Sequence, residues 1–221
     1  MTKHFRKELE KIKKQFLTLG CMVEESVQMS VNAVANNTAE LADRIIKKDL
    51  EIDEKEVEIE EECLKVLALH QPVAIDLRFL IAVIKINNDL ERIGDQAVNI
   101  AQRVKVIAKS KQPDFFFDYS SMGEKVQTML KMSLDALINM DDDIAWNVLR
   151  LDDEIDQIQK EAYDRIKSAM GEHTTRLGYF INFLLISRHL ERMADHTSNI
   201  AEEVIYLIEG EIVRHAQHER G

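Results

Sequence analysis

Little in this sequence interrupts a helix. Across 221 residues there are two prolines, Pro72 and Pro113, and seven glycines, while Ala, Leu, Ile, Met, Glu and Lys dominate, so composition favours helices throughout. Cysteine is scarce as well. Cys21 and Cys63 lie inside apolar helical patterns and lack metal-type spacing, which makes both of them expected reduced core thiols. No long apolar run exists: Phe79 to Ile84, and Phe180 to Ile181 followed by Phe183 to Ile186, fall far short of the roughly twenty residues a bilayer span needs. The stretch from Met1 to Glu10 is charged from the outset and carries no secretory signal. A cytoplasmic protein, peripheral to membrane complexes at most, is expected. Positive charge is in deficit, with 29 Lys and Arg against 40 Asp and Glu and a net charge of −11. Such a field repels phosphate backbones, which excludes nucleic acid as an expected partner, and it suits cations, basic proteins or simply a solvated exterior. Gly-rich phosphate loops, paired-Cys motifs and nucleophile elbows are missing, and none of the seven histidines has the Glu three residues earlier that a ferritin-like di-iron site needs.

What is present is a repeat. Leu90-Glu-Arg-Ile-Gly-Asp-Gln-Ala-Val-Asn-Ile-Ala101 returns one hundred residues later as Leu190-Glu-Arg-Met-Ala-Asp-His-Thr-Ser-Asn-Ile-Ala201, with seven of twelve positions identical. Glu91, Asp95 and Asn99, and again Glu191, Asp195 and Asn199, stand at i, i+4 and i+8, one above another on a helix face. Met132 to Leu137 matches Met29 to Val34, and Asp152-Asp-Glu-Ile-Asp156 matches Asp49-Leu-Glu-Ile-Asp53, both at an offset of 103. The offset falls to 100 by Leu77/Leu177, which requires a three-residue deletion in the turn before the third helix of the second repeat.

Helical spacing of Leu9, Ile12, Phe16, Leu19, Val23, Val27, Val31 and Val34 predicts a first helix from Phe5 to about Asn36. Asn37 with Glu40 reads as a capping box, so the second helix starts near Thr38 and runs to about His70. Pro72 fits the first turn of a third helix reaching about Ala108, and Lys109 to Asp114 reads as the linker. Ser121 with Glu124 reads as the next capping box, Gly171 as the turn before the last helix, Gly210 as its stop, and the tail from Arg214 as frayed. The expected fold is all-α: two tandem homologous three-helix bundles, residues 1–112 and 113–221.

On the third helix Ile86, Leu90, Ile93, Ala97 and Ile100 form the packing face, and Glu91 and Asp95 point away from it, toward an outer face or an interhelical groove. On the second, Asp49, Asp53, Glu56 and Glu60 make an acidic line. It is fenced by Ile45, Ile52, Ile59 and Cys63 on one side and by Ile46, Leu50, Val57 and Leu64 on the other, and is therefore expected to approach another element. Stacked carboxylates repel, and a hard cation such as Mg, Mn or Fe would offset them. With 40 acids in the chain, about seven i, i+4 acid pairs arise by chance, so recurrence in register in both repeats is the signal, and solvated acids balanced by Arg92 and Arg192 are the competing reading. His189 and His196 flank the second motif and stand as either ligands or uncommitted surface histidines. Met29, Met132, Met193, Trp146 and Phe115 to Phe117 read as packing residues.

The twin Glu-Arg-x-x-Asp-x-x-x-Asn-Ile-Ala motif, together with Leu67-Ala-Leu-His-Gln-Pro-Val-Ala-x-Asp-Leu-Arg-Phe79 and Ile86-Asn-Asn-Asp-Leu-Glu-Arg-Ile-Gly-Asp95, resembles the PhoU family over almost the whole chain. The resemblance implies a regulator rather than an enzyme. It implies a negative regulator of phosphate uptake and phosphate-starvation signalling that couples a phosphate ABC transporter ATPase to a sensor histidine kinase and commonly forms a homodimer. It also implies metal ions, with iron, zinc, manganese or magnesium as family metals, clustered in some members. By position, one site draws on Asp49, Asp53, Glu91 and Asp95 and the other on Asp152, Asp156, Glu191 and Asp195, with Asn99 and Asn199 beside them. Two departures stand out. Gln96 occupies a place where many relatives have His, and Gln159 and Tyr163 break the acidic line of the second repeat, so the two sites are expected to differ in nuclearity or metal preference. A carboxylate-bridged oxidase or phosphohydrolase and a metal-free helical adaptor are the alternatives.

Overall fold

In the computed structural model of the chain, residues 3–110, 115 and 117–210 are described, and among them there is no strand. Six helices follow in order: α1 (Lys3–Asn36), α2 (Ala39–His70), α3 (Ala74–Ala108), α4 (Ser120–Asn139), α5 (Asp142–Glu172) and α6 (Leu177–Glu209), the last preceded by a 3₁₀ turn at Thr174–Arg176. The all-α architecture and the helix spans agree with the sequence reading. The expected 112/113 boundary, Pro113, Phe116 and the tail from Arg214 lie outside the described residues. One helix is shorter than its repeat partner. α4 has 20 residues, and at the 103 offset its start matches residue 17, so α1 begins 14 residues ahead of that point.

The helix ends correct several details. Asn37 does not cap α2; it takes the left-handed conformation (φ 49°) and closes α1, where the Thr38 N–H bonds back to the Ala33 carbonyl at 3.1 Å. Asparagine tolerates that conformation, so it stops one helix rather than starting the next. Ser121 lies inside α4, and it is Asp118 Oδ1 that accepts the Ser120 N–H at 2.9 Å. Asp141 caps α5 by accepting the Ile144 N–H at 3.1 Å. Pro72 sits just outside α3. Gln71, Pro72 and Val73 are the residues without a counterpart in the second repeat, where the shortened connection tightens the start of α6 into the 3₁₀ turn. Gly171 lies in the last turn of α5, not beyond it, and Gly210 ends α6 in the left-handed conformation (φ 80°).

Each repeat folds as a three-helix bundle, and the two bundles lie side by side. α3 packs antiparallel along α6, the most extensive helix contact in the molecule, and α1 packs along α4. One continuous core runs through both halves. Ile86, Leu90, Ile93, Ala97 and Ile100 are all fully buried within it, as their spacing predicts. Trp146, Met29 and Met193 are buried, and Met132 and Phe115 pack against the core. Close approach of α1 to α4 depends on two glycines: a Cβ on Gly20 would stand 3.0 Å from Leu134 Cδ1, and one on Gly123 would stand 2.6 Å from Val31 Cγ1. Cys63 is buried, as expected, but Cys21 is exposed. It falls off the buried stripe that Leu19 and Val23 define on α1.

Candidate metal centre

The carboxylates of each repeat meet in the groove between its second and third helices. α2 and α3 run antiparallel with Asp49 opposite Gly94, whose missing Cβ would lie 3.5 Å from Asp49 Oδ1. Two turns along the pair, the Asn87 amide donates to the Glu56 carbonyl at 2.8 Å and to its carboxylate at 3.0 Å. Asp53 falls between these points, facing Glu91 and Asp95. All four predicted residues of the first site are partly buried there. In the second repeat Asp152 and Glu191 are partly buried and Asp156 and Asp195 exposed, along the groove between α5 and α6.

The electrostatics are those of crowded acids. Burial lifts Asp49 to about 6, and repulsion from Asp53 and Asp95 adds to it. Burial raises Asp53 as well, followed by the field of Asp95. Glu91 is raised by burial first, then by Asp95, with Arg92 opposing. The second groove repeats the pattern: burial lifts Asp152 to about 6, Asp195 and Asp156 repel it, and the Ser198 side chain counteracts. Glu191 and Asp195 are raised by burial and by their acidic neighbours. Compensation is weak, since Arg92 reaches Glu91 at 3.7 Å and Asp95 only at 4.0 Å from a half-exposed side chain. Fully buried Asn87 leaves its Oδ1 without a hydrogen-bond partner beside this groove, a cost that a cation would relieve. Half-buried carboxylates plus an orphaned amide oxygen are a donor set suited to hard cations. The oxygens do not already converge. Among the described residues, the one set of three ligand atoms within 4.8 Å of one another lies elsewhere, at His4, Glu8 and His70.

Part of the expected fence is absent. Ile45, Ile52, Ile59 and Cys63 are buried, but Leu50, Val57 and Leu64 are 66%, 51% and 52% exposed. Among the described residues α2 packs against α1 and α3 alone, so the acidic line borders one neighbour and is otherwise open on that side.

His189 and His196 are both committed, and to α3. His196 Nδ1 lies 2.9 Å from Asp89 Oδ1, which also accepts from Asn199 at 3.3 Å, and His189 Nδ1 lies 2.9 Å from Gln96 Oε1. At the 100-residue offset these two contacts are equivalents of each other: 89 pairs with 196 and 189 with 96. Burial, then the fields of Arg103, Arg192 and Arg188, push His189 down to about 4, so its imidazole stays neutral beside the Gln96 amide. Glu203, 3% exposed, receives Lys85 Nζ at 3.0 Å on both oxygens further along the same seam. The repeat relates the first two pairs to each other, but it does not encode which face of α3 meets α6, and the Lys85–Glu203 pair has no equivalent, since Leu185 and Arg103 stand at the matching positions.

Six helices in two fused repeats, each presenting a groove of weakly compensated carboxylates, define an all-helical internal-repeat protein with paired candidate cation sites. The chain belongs to the PhoU family: the PhoU domain model matches residues 16–104 and 119–204. It is 36% identical over 212 residues to the phosphate-specific transport system accessory protein PhoU homolog of Clostridium acetobutylicum, covering 96% of this chain and 97% of that one. The crystal structure of PhoU from Pseudomonas aeruginosa superposes with a TM-score of 0.90 at 36% identity, covering 94% of this chain and all of that one. That of the phosphate transport system regulatory protein PhoU from Streptococcus pneumoniae gives 0.84 at 33% identity, covering 95% and 99%.

Proposed function

We propose that this protein is a non-enzymatic accessory regulator of phosphate-specific transport whose paired carboxylate grooves hold metal ions. Support for the transport role is the family relationship, which spans nearly the full length of relatives so named. Support for metal is the crowding of Asp49, Asp53, Glu91 and Asp95, and of Asp152, Asp156, Glu191 and Asp195, in which burial and then the field of acidic neighbours raise Asp49, Asp53, Glu91, Asp152, Glu191 and Asp195. Iron, manganese, magnesium or zinc bound there supplies positive charge that fixes the acidic side chains in one arrangement. The first groove, with Glu56 and Asn87 beside its four acids, offers more oxygens than the second, where Gln159 and Ser187 take those places. The apolar cleft of about 340 Å³ lined by Leu9, Phe16, Phe79 and Leu137 includes none of the eight acids.

In this reading the metal-set faces of α2 and α5 contact the transporter ATPase and a sensor histidine kinase at the inner face of the membrane. The protein, a homodimer in the cytoplasm, restrains uptake and starvation signalling while phosphate is plentiful. No helix among the described residues is long and apolar enough to cross a membrane, which accords with a peripheral role. The test is complementation in a bacterium lacking its own PhoU, with a phosphate-starvation reporter and co-purification of both partners. The native chain restores repression, and Asp53→Asn/Glu91→Gln/Asp95→Asn loses it along with partner binding. Equal repression and equal binding by the triple variant would refute the role of the grooves.

A further inference from the structure

His4 and Glu8 lie on α1 ahead of the point that matches the start of α4, and with His70 they form a cluster separate from the eight groove acids. His4 and Glu8 occupy i and i+4 on α1, and His70 occupies the last turn of α2. His4 Nε2 lies 3.2 Å from Glu8 Oε1, and His70 Nε2 lies 3.4 Å from Glu8 Oε2. A tetrahedral cation with bonds near 2.0 Å imposes ligand–ligand separations of about 3.3 Å. The three groups can each offer an atom within 4.8 Å of the others, which no other set among the described residues does. Glu8 Oε2 and His70 Nε2 are shut off from solvent and neither has a hydrogen-bond partner of good geometry. Two buried polar atoms facing each other without a hydrogen bond are costly unless something between them satisfies both.

The surroundings hold the cluster in place. Phe5 packs on the His70 ring at 5.1 Å between centroids, and the His4 ring meets His70 edge-on at 5.8 Å. His70 also sits at the C-terminal end of α2, where the helix dipole favours a cation. Two imidazoles and one carboxylate suit a borderline divalent ion, zinc above all, with one position left for water. We propose that His4, Glu8 and His70 form a transition-metal site that clamps the first turns of α1 to the last turn of α2. It lies about 25 Å along α2 from the carboxylate groove and is independent of it. The ion would order the end of the first bundle, where α1 begins ahead of the point that matches the start of α4.

Cobalt titration of the full-length, EDTA-stripped protein tests this, because a cobalt ion held by two imidazoles in a four-coordinate site absorbs visible light far more strongly than one held octahedrally by carboxylates and water. The expected result is an intense visible band saturating at one equivalent, displaced by zinc. His4→Gln and His70→Gln lose it, while Asp53→Asn/Glu91→Gln keeps it. His4 is 71% exposed, so its replacement leaves the core intact and the reading does not depend on a fragile variant. Absence of the band from the native protein, or its persistence in both histidine variants, would overturn the site and return the three groups to a chain of ion pairs.

Discussion

Asp49 shows at the scale of one residue what the grooves cost. Burial and the neighbouring Asp53 and Asp95 lift its carboxyl to about 6, so between pH 4 and 6 the folded protein holds a proton that the unfolded chain releases. A raised carboxyl of this kind carries no penalty at acid pH and its full penalty above pH 6. In metal-free protein, Asp49→Asn is therefore stabilising at pH 7.5, by about 1 kcal/mol once solvent screening of a half-exposed group is allowed for. For a domain of this size that is a rise in Tm of about 2–4 °C. Thermal unfolding in EDTA checks it: the gain is present at pH 7.5 and shrinks by pH 4.5, and a lower Tm at both would show that Asp49 is held by favourable contacts instead. At this scale the recurrence of Asp49, Asp53, Glu91 and Asp95 in register was legible in the sequence, and the structure places all four along one groove. The sequence was silent on His196 and Asp89, because their contact joins residues 107 positions apart on helices whose mutual orientation no local pattern encodes.

Helix packing sets the next scale, and glycine positions decide it. Gly94 and Gly123 look alike in the sequence but differ in what surrounds them. A Cβ on Gly94 would rest at 3.4 Å from two Ile52 carbons, an ordinary contact, and the second repeat already places Ala194 there. A Cβ on Gly123 would meet Val31 at 2.6 and 2.7 Å, and a β-branched side chain in a helix has little rotamer freedom with which to yield. Gly94→Ala is expected to be neutral or to stabilise by up to about 1 kcal/mol through helix propensity. Gly123→Ala is expected to destabilise by about 1–3 kcal/mol through overpacking of α4 on α1. Urea denaturation of both variants measures the difference, and equal midpoints would contradict the close α1–α4 approach. Helix spans were legible because apolar periodicity runs for thirty residues at a time. The capping residues were not: Asn37 can either cap a helix or end one in the left-handed conformation, and the backbone chooses between these only once α1 and α2 have packed.

At the scale of the whole molecule, the duplication explains both the symmetry and its breaks. Fusing two bundles along α3 and α6 and along α1 and α4 gives one core, and it places the two carboxylate grooves on α2–α3 and α5–α6, away from the shared seam. The repeat, its offsets and the deleted turn could be read from the sequence, because identities at fixed spacing survive without knowledge of packing. The side-by-side arrangement could not, since the seam of α3 against α6 is built partly from polar residues, Lys85 with Glu203, Gln96 with His189 and Asp89 with His196, whose facing no apolar periodicity signals. The breaks are informative in turn: the long start of α1 supplies His4 and Glu8, and Gln96 trades a motif position for a hydrogen bond to His189. Metal in the twin grooves is the proposal on which the rest depends. Elemental analysis by plasma mass spectrometry, on protein carrying His70→Gln so that the histidine cluster cannot contribute, tests it with and without Glu91→Ala/Glu191→Ala. Stoichiometric iron, manganese, magnesium or zinc that disappears in the groove variant is the predicted result; protein without metal, or with the same metal content in both forms, would contradict it.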